Sequence, residues 1–571
     1  MDLWQQITEL CEKRPLQLPR AAADECHVLV TDDDDLRRIC RWAKDAQLYL
    51  CTFVVNDERL LESHAYKLYY LFSTPDGQFL ILENPLHTER PTEYISIRDL
   101  FPSVEPMEWK AFDLFGIIPL GHMEGLGRFV LHEQYPPNLH PLRRTRNYKN
   151  LAERQAAYEP KRPSLSPLLP AGMMVLPVGP IHAGIIEAGQ FPFAVAGEVI
   201  EDVPVRLGFK HKGIEKLLES HYSLLTGWEL AGKVSGDASF AHSMAYCQAV
   251  EAMAAVEIPE AAHAWRAFFL ELERIYNHIA DVGALAHDMA LDLVASELAV
   301  LRETAVQLNQ QLCGHRYLRG INRPGGVSFA EMPDLSTVTQ ILIHMQQTFA
   351  AFSTLLLEMP ACRDRMITTG VLTADDVHRT GATGLAARAT GLLAHDFRLR
   401  HPQGVYQRSA VQQMIQAAIP QENDGSTTNA GVYQTDLKGD VFGRMALRVA
   451  EVYSSVQICC SLIDELTDAG HDNLLLTDMN WHLTQTPNYE FGIGYVESWR
   501  GDIFYWVMKG PDNTIFRCKV RDPSMFNWPA LRVATRRKVQ ETAVNDHWEN
   551  ILADFPLINK SFNLSYAAND L

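Results

Sequence analysis

Residues 265–282 read WRAFFLELERIYNHIADV. Trp265, Phe268, Phe269, Leu272, Ile275, Tyr276, Ile279 and Val282 recur at helical spacing and give a wide apolar stripe. The spacing predicts a core helix, and such a stripe is packing surface rather than a cofactor box. Outward from it, 288–312, 336–358 and 440–467 have the same helical character. Farther along, 491–518 turns to strand-like alternation (FGIGYVES, DIFYWVMKG, TIFRCKV), with Gly510-Pro511-Asp512-Asn513 as a turn. Upstream, residues 1–100 read as a small α+β unit with strands at 27–31, 48–55, 65–73 and 78–84. Thr74-Pro75-Asp76-Gly77 is the turn between the last two. Thr31 and the acids Asp32 to Asp35 mark a helix start, with negative charge at the positive end of the helix dipole. The proline-bearing stretch 146–171 reads as a linker. The expected fold class is α+β: a small α+β unit over 1–145, the linker, and a mainly helical unit with small β elements over 172–571.

Composition narrows the function. Hydrophobic residues make up 47% and charged residues 21% of the chain, a globular balance. A net charge of -19 argues against nucleic acid and gives no electrostatic reason to adhere to anionic lipid. No run of about 18 apolar residues is present, so no direct membrane span is expected. The N-terminus has no apolar core of the kind a signal peptide needs. The ten cysteines include no C-x-x-C pair, the usual spacing for zinc or iron–sulfur ligands. They are expected to be reduced, individually buried thiols, with no cofactor bound by this chain.

More specific patterns then appear. The stretch EWKAFDLFGIIPLGHMEGLGRFVLHEQYPPNLHPLRR (108–144) carries Asp113, Phe115, Gly116, Ile117, Gly121, His122, Arg128, Leu131 and His140 to Arg143. It resembles the end of the C subunit of respiratory complex I, where such a tail docks against neighbouring subunits. From about 175 the resemblance moves to the complex I D subunit and the NiFe-hydrogenase large subunit. It is carried by Gly179 to Gly189 (GPIHAGIIEAG), 206–219, 270–288, 314–327, 439–451 and 497–510. The fused order and the G-x-x-E-x-G pattern are most similar to hydrogenase-4 and formate hydrogenlyase large subunits.

The resemblance also exposes a difference. Family hydrogenases hold nickel and iron with two C-x-x-C pairs, soft thiolates suited to that centre. At the corresponding positions stand Ser235 and Ala238, within KVSGDA (233–238), and Ser565 and Ala568, within SFNLSYAA (561–568). Hydroxyls bind soft metals weakly and methyl groups not at all, so NiFe chemistry is not expected. The chain stops at Leu571, without the extension that hydrogenase precursors carry, which agrees with this expectation. Complex I uses a tyrosine and a histidine to hold quinone, and Gly236 and Ile186 fall near those positions.

What the resemblance leaves is a polar set: Glu187 where hydrogenases place a proton-shuttling carboxylate, with His182, Asp237 and Arg500. Glu187 and Arg500 could instead simply pair in a relic cavity. Arg274 and Asp281, on one helix face, read as surface or interface ion-pair residues, with a charged chain toward a membrane partner as the alternative. His287-Asp288 and His395-Asp396 are assigned no catalysis. The implied partners are an iron–sulfur small subunit, a ferredoxin-like subunit and membrane-arm subunits. Electrons would come from the partner cluster and go to quinone or another acceptor. NAD would enter only through another subunit. The implied location is cytoplasmic, on the inner face of the cell membrane. An inert subunit that holds such a complex together is the competing reading.

Overall fold

The structure, a computed structural model, describes residues 6–7, 24–121, 127–144, 172–184, 186–419, 437–468, 475–536, 538–539 and 547–571. The expected linker 146–171, His122 and Cys11 lie outside the described residues. In the N-terminal unit, β1 (Glu25–Leu29), α1 (Asp33–Asp45), β2 (Tyr49–Asp57), β3 (Tyr66–Ser73) and β4 (Phe79–Pro85) form a four-stranded sheet in the order β1-β4-β3-β2 plus one helix. Strand β1 begins and ends two residues earlier than its sequence suggests. The side chains of Thr31 and Asp32 are committed to starting α1: Asp32 accepts from the Asp35 amide at 2.8 Å, and Thr31 donates to the Asp35 carboxylate at 2.7 Å. Gly77 sits at φ +85°, which the 74–77 turn requires.

The 108–144 segment docks on its own chain. It follows β5 (Glu93–Ile95), starts inside α2 (Glu105–Phe115) and contains β6 (Ile118–Leu120). Asp113, fully buried, accepts from the amides of Phe129, Val130 and Leu131 at 3.1, 2.9 and 2.8 Å, and Arg128 pairs with it at 2.7 Å. One carboxylate thereby satisfies three successive buried amides that no strand partner serves. Lys110 reaches across to the Asn569 carbonyl near the other end of the chain. The docking surface that the resemblance assigned to neighbouring subunits is, for this segment, partly the larger unit of the same polypeptide.

That larger unit opens with a three-stranded antiparallel sheet the sequence pattern did not reveal: β7 (Met174–Val178), β8 (Phe191–Ala196) and β9 (Val199–Asp202). Pro177 and Pro192 interrupt its alternation, which hid it. Helices α3 (Ile214–His221), α4 (Ser239–Met253), α5 (Glu260–Asp288), α6 (Asp292–Cys313), α7 (Val338–Glu358) and α8 (Val441–Asp468) follow. The quoted stripe lies on α5, packed between α6 and α8. Among the described residues, α8 is apolar and long enough to cross a membrane, but 78% of its most apolar window is buried inside the protein. It is a core helix.

A second antiparallel sheet, β10 (Phe491–Glu497), β11 (Asp502–Lys509) and β12 (Ile515–Arg521), lies against α4. Glycines make the approach feasible: a Cβ at Gly494 would sit 1.9 Å from the Ala245 carbonyl oxygen, and one at Gly492 2.2 Å from that of Ala249. The other face of this sheet meets the N-terminal unit. Ile493, Phe504, Trp506 and Met508 share one apolar cluster with Tyr49, Phe53, Tyr69 and Phe72. At the seam, Arg521 donates to the Cys51 carbonyl at 2.7 Å and Arg517 to that of Val55 at 2.9 Å. The β2 edge is therefore covered rather than left open. Three short helices close the described chain: α9 (Ser524–Thr535), α10 (Phe555–Phe562) and α11 (Tyr566–Asp570). Of the nine described cysteines none is disulfide-bonded, and all are buried except the half-buried Cys313 and Cys460.

Candidate functional site

The fold brings the two motif arms, 330 residues apart in sequence, into contact: the Ser235 and Ser565 hydroxyls are hydrogen-bonded at 3.1 Å. Each arm is set by a helix start. Ala238, buried, stands at the N-terminus of α4, and its amide is 3.4 Å from the Ser235 carbonyl. Ser565 caps α11 by accepting from the Ala568 amide at 3.1 Å, and its own amide donates to Ser524 at 3.0 Å. Asn563, at φ +45°, turns the chain between α10 and this cap.

Around this contact the polar residues sort into two groups. On one side, Ser235 donates to Asp237 at 2.5 Å and Arg500 clamps the same carboxylate with both terminal nitrogens. Arg500 is buried, lies 3.9 Å over the Trp499 ring and also donates to the Asn563 carbonyl. Crowding by protein pushes the Asp237 carboxyl up. Arg500 and the Ser235 hydroxyl outweigh this and hold it below the ordinary carboxylate range. The Asp237 side chain is nonetheless 39% exposed, so solvent meets the carboxylate on its outer side. The Asp237 carbonyl is pinned from behind by Asn277 at 2.7 Å and Trp499 at 3.0 Å.

On the other side, the loop between β7 and β8 carries His182 and Glu187. Glu187 accepts from the Ala567 amide at 2.9 Å, so two side chains, Ser565 and Glu187, serve the first turn of α11. The alternative in which Glu187 pairs with Arg500 is therefore corrected: Arg500 is taken by Asp237, and Glu187 by a backbone amide. His182 is half-buried, with its ring 6.2 Å from that of Tyr566 and 5.2 Å from that of Phe191. Among the described residues no hydrogen bond links the Glu187–His182 group to the Asp237–Arg500 pair.

The site opens outward. Gly236 is exposed and a Cβ there would meet nothing within 4 Å; Ile181 is 86% exposed; Ile186 is half-buried. Sequence reasoning missed Tyr566, which follows Ser565 directly. Its hydroxyl is buried, makes no close hydrogen bond among the described residues beyond a weak interaction with Asn559, and is pushed up to about 12 by burial. The signal for it was its place inside the SFNLSYAA run.

Behind the site lies a buried charged cluster. Arg274 binds Glu271 at 3.1 Å and Glu451 at 3.0 Å, and Asp281 binds Arg448 at 2.8 Å. The surface or interface ion pairs expected of Arg274 and Asp281 are corrected, since both are buried where α5 packs on α8. Of the residues assigned no catalysis, Asp396 joins this cluster through Arg398 at 2.8 Å, while His287 and Asp292 form an exposed pair at 2.9 Å.

A NiFe centre does not fit this locus. Where it would need four thiolates, two hydroxyls bond each other and two methyl groups fill the remaining places. Among the described residues, no three His, Cys, Asp or Glu side chains gather in a metal-holding group.

Comparison with known proteins agrees with the architecture. Residues 29–150 match the family model of the respiratory-chain NADH dehydrogenase 30 kDa subunit, and residues 281–546 that of the 49 kDa subunit. Both arms of the site fall outside the second match. Hydrogenase-4 component G of Escherichia coli K12 is 29% identical, over 90% of this chain and 82% of its own length. Formate hydrogenlyase subunit 5 of the same organism is 28% identical, over 91% and 84%. The NADH-quinone oxidoreductase C/D subunit of Phocaeicola vulgatus is 24% identical, over 77% and 84%. The chain is thus a complex I-like oxidoreductase subunit, in which a domain of the NADH dehydrogenase 30 kDa subunit family is joined to one of the 49 kDa subunit family.

Proposed function

We propose that this chain is the large subunit of a membrane-associated complex I-like or hydrogenase-like oxidoreductase that works without NiFe hydrogen activation. It takes electrons from a partner iron–sulfur subunit and delivers them, with protons, to quinone or to coupled ion translocation. The partners are the small iron–sulfur subunit, a ferredoxin-like subunit and membrane-arm subunits, which hold the chain at the inner face of the membrane. The chain itself holds no redox cofactor, and NAD would be handled by another subunit.

One observation carries the reading: the Ser235–Ser565 contact, flanked by the outward-opening Gly236 loop, Tyr566 with its weakly held hydroxyl, and His182. A polar half-site at an exposed face is what a second subunit would complete around an acceptor between the two. In this reading Tyr566 and His182 supply hydrogen bonds to the acceptor in place of the groups absent at Gly236 and Ile186. Glu187 relays the proton, and the Asp237–Arg500 pair keeps the loop in place. Quinone fits this donor set, since a hydroxyl and an imidazole suit its carbonyl oxygens.

The specific counter-observation is that Asp237, Ser235 and Glu187 all have partners within the chain, which favours an inert scaffold. Glu187→Gln in the assembled complex separates the two. Glutamine keeps an oxygen for the Ala567 amide but cannot carry a proton, so turnover and ion pumping should fall by roughly 100-fold. Unchanged turnover and pumping would leave the scaffold reading. Elemental analysis of the same complex should find no stoichiometric nickel at this subunit, and nickel at one per chain would restore the hydrogenase reading.

A further inference from the structure

A small cleft, with room for a water or two, lies away from the Ser235–Ser565 contact and shares no lining residue with it. Gln248, His263, Arg398, His401, Tyr406 and Glu497 are among its lining residues. Two of these groups, Gln248 Oε1 and His401 Nδ1, are buried and have no hydrogen-bond partner among the described residues. They offer polar anchors to a small guest, and water is the smallest that satisfies them. Arg398, Tyr406 and Glu497 also belong to the buried charged cluster, so the cleft stops at that cluster.

Among the described residues the cluster does not balance. Its guanidiniums are Arg274, Arg388 and Arg398; its carboxylates are Glu271, Asp396, Glu451 and Glu497. Three positive groups thus face four negative ones. The nearby Asp281 and Asp502 have their own partners, Arg448 and Arg521, and lend no spare cation. His278, 2.8 Å from Glu451, would restore neutrality if charged, but burial, Arg448 and Arg274 push it down, against the pull of Glu451. An uncompensated negative charge in a dry interior is costly, and a bound proton removes it.

We propose that the cleft is a proton access route to the cluster, and that Glu497 holds the cluster's odd proton. Glu497 has the weakest hold on its charge. Arg388 reaches it at 2.8 Å and the Phe397 amide at 3.2 Å, while Glu271 and Asp396 each contact two guanidiniums and Glu451 three. It is faced by Arg274 from α5, Arg388 from the short helix Gly384–Arg388, Asp396 from the next segment and Asp502 from β11. Burial and the two aspartates push it up to about 8, against the pull of Arg388 and Arg274.

The step is a proton transfer alone. The Glu497 O–H bond breaks, the proton passes to water in the cleft, the cluster gains one negative charge, and no electron moves. Glu497 ends β10, and three residues later Arg500 holds Asp237. Arg274 meanwhile donates to the Glu497 and Ser498 carbonyls at 2.8 and 3.2 Å. A change of charge on Glu497 therefore acts on the strand end that positions the site. The inference rests on the oxidoreductase reading for its purpose, but the proton itself can be observed without turnover.

Infrared difference spectroscopy of the assembled complex provides the test. A carboxylic-acid carbonyl band should vanish as pH rises through about 8 and should be missing in Glu497→Gln. Glu273, between the amides of Phe240 and Ala241, is also pushed up to about 8 by burial, so Glu273→Gln serves as control and must leave the Glu497 band in place. Gln248→Leu, on the cleft wall outside the cluster, should slow deuterium exchange of the band about tenfold. That arm decides the question even if Glu497→Gln does not fold. A band that survives in Glu497→Gln, or exchange unaffected by Gln248→Leu, overturns the proposal. A complex that shows the band but no oxidoreductase activity would overturn the functional reading instead.

Discussion

Glu451→Gln should destabilise the larger domain by about 3–5 kcal/mol, the cost of stripping the charge from one member of a buried ion cluster. Glu451 receives Arg274 at 3.0 Å, His278 at 2.8 Å and Arg388 at a closer contact, and lies where α5 packs on α8. Glutamine fits the space but replaces the charge-assisted hydrogen bonds from Arg274, Arg388 and His278 with weaker ones, with no solvent to make up the loss. Chemical denaturation of the purified chain would measure the loss, and a change under about 1 kcal/mol would contradict this account. The same contacts set the acid limb of stability. Burial opposes ionisation of Glu451, but Arg388 and Arg274 overcome it and hold its carboxyl well below the usual range. A depressed folded-state value means that the contribution is complete above the unfolded carboxylate value. It is lost as pH falls through the lower, folded one. The wild type should therefore lose stability steeply only in strong acid, and Glu451→Gln should flatten that limb.

Asp113→Ala should unfold the 127–144 segment and with it the seam between the two domains. The change orphans the amides of Phe129, Val130 and Leu131 and leaves Arg128 without its carboxylate. Unsatisfied buried amides cost about 1–3 kcal/mol each, so a total of roughly 3–5 kcal/mol is expected after relaxation. Asp113→Asn keeps one oxygen acceptor and should lose less. Limited proteolysis reads the difference, with new cleavage between Arg128 and Arg144 in the alanine variant. Equal resistance in both variants would show that the segment is held by its apolar contacts alone, among them Val130 and Leu131 in the shared core.

Periodicity in the sequence was enough to place α5, α6, α7 and α8 and the strands of both larger sheets, because a continuous apolar stripe or a clean alternation survives whatever packs against it. The four changed positions were legible too, since a missing thiolate is a local fact about residue type. The sheet holding the Glu187 loop was not, because prolines break its pattern. Nor could spacing along α5 tell a surface ion pair from a buried one. Arg274 and Asp281 look like helix-surface residues until α8 supplies Glu451 and Arg448 from some 170 positions away. The partner of Arg500 was equally hidden, for Glu187 was the one suggested, yet Glu187 accepts from the Ala567 amide and Asp237 takes the guanidinium. By itself the sequence determined the long helices, the strands with clean alternation, and which residue types stand at positions 235, 238, 565 and 568. Tertiary structure alone decided which charges meet, because pairing in a low-dielectric interior depends on distances of a few ångströms that chain order does not encode.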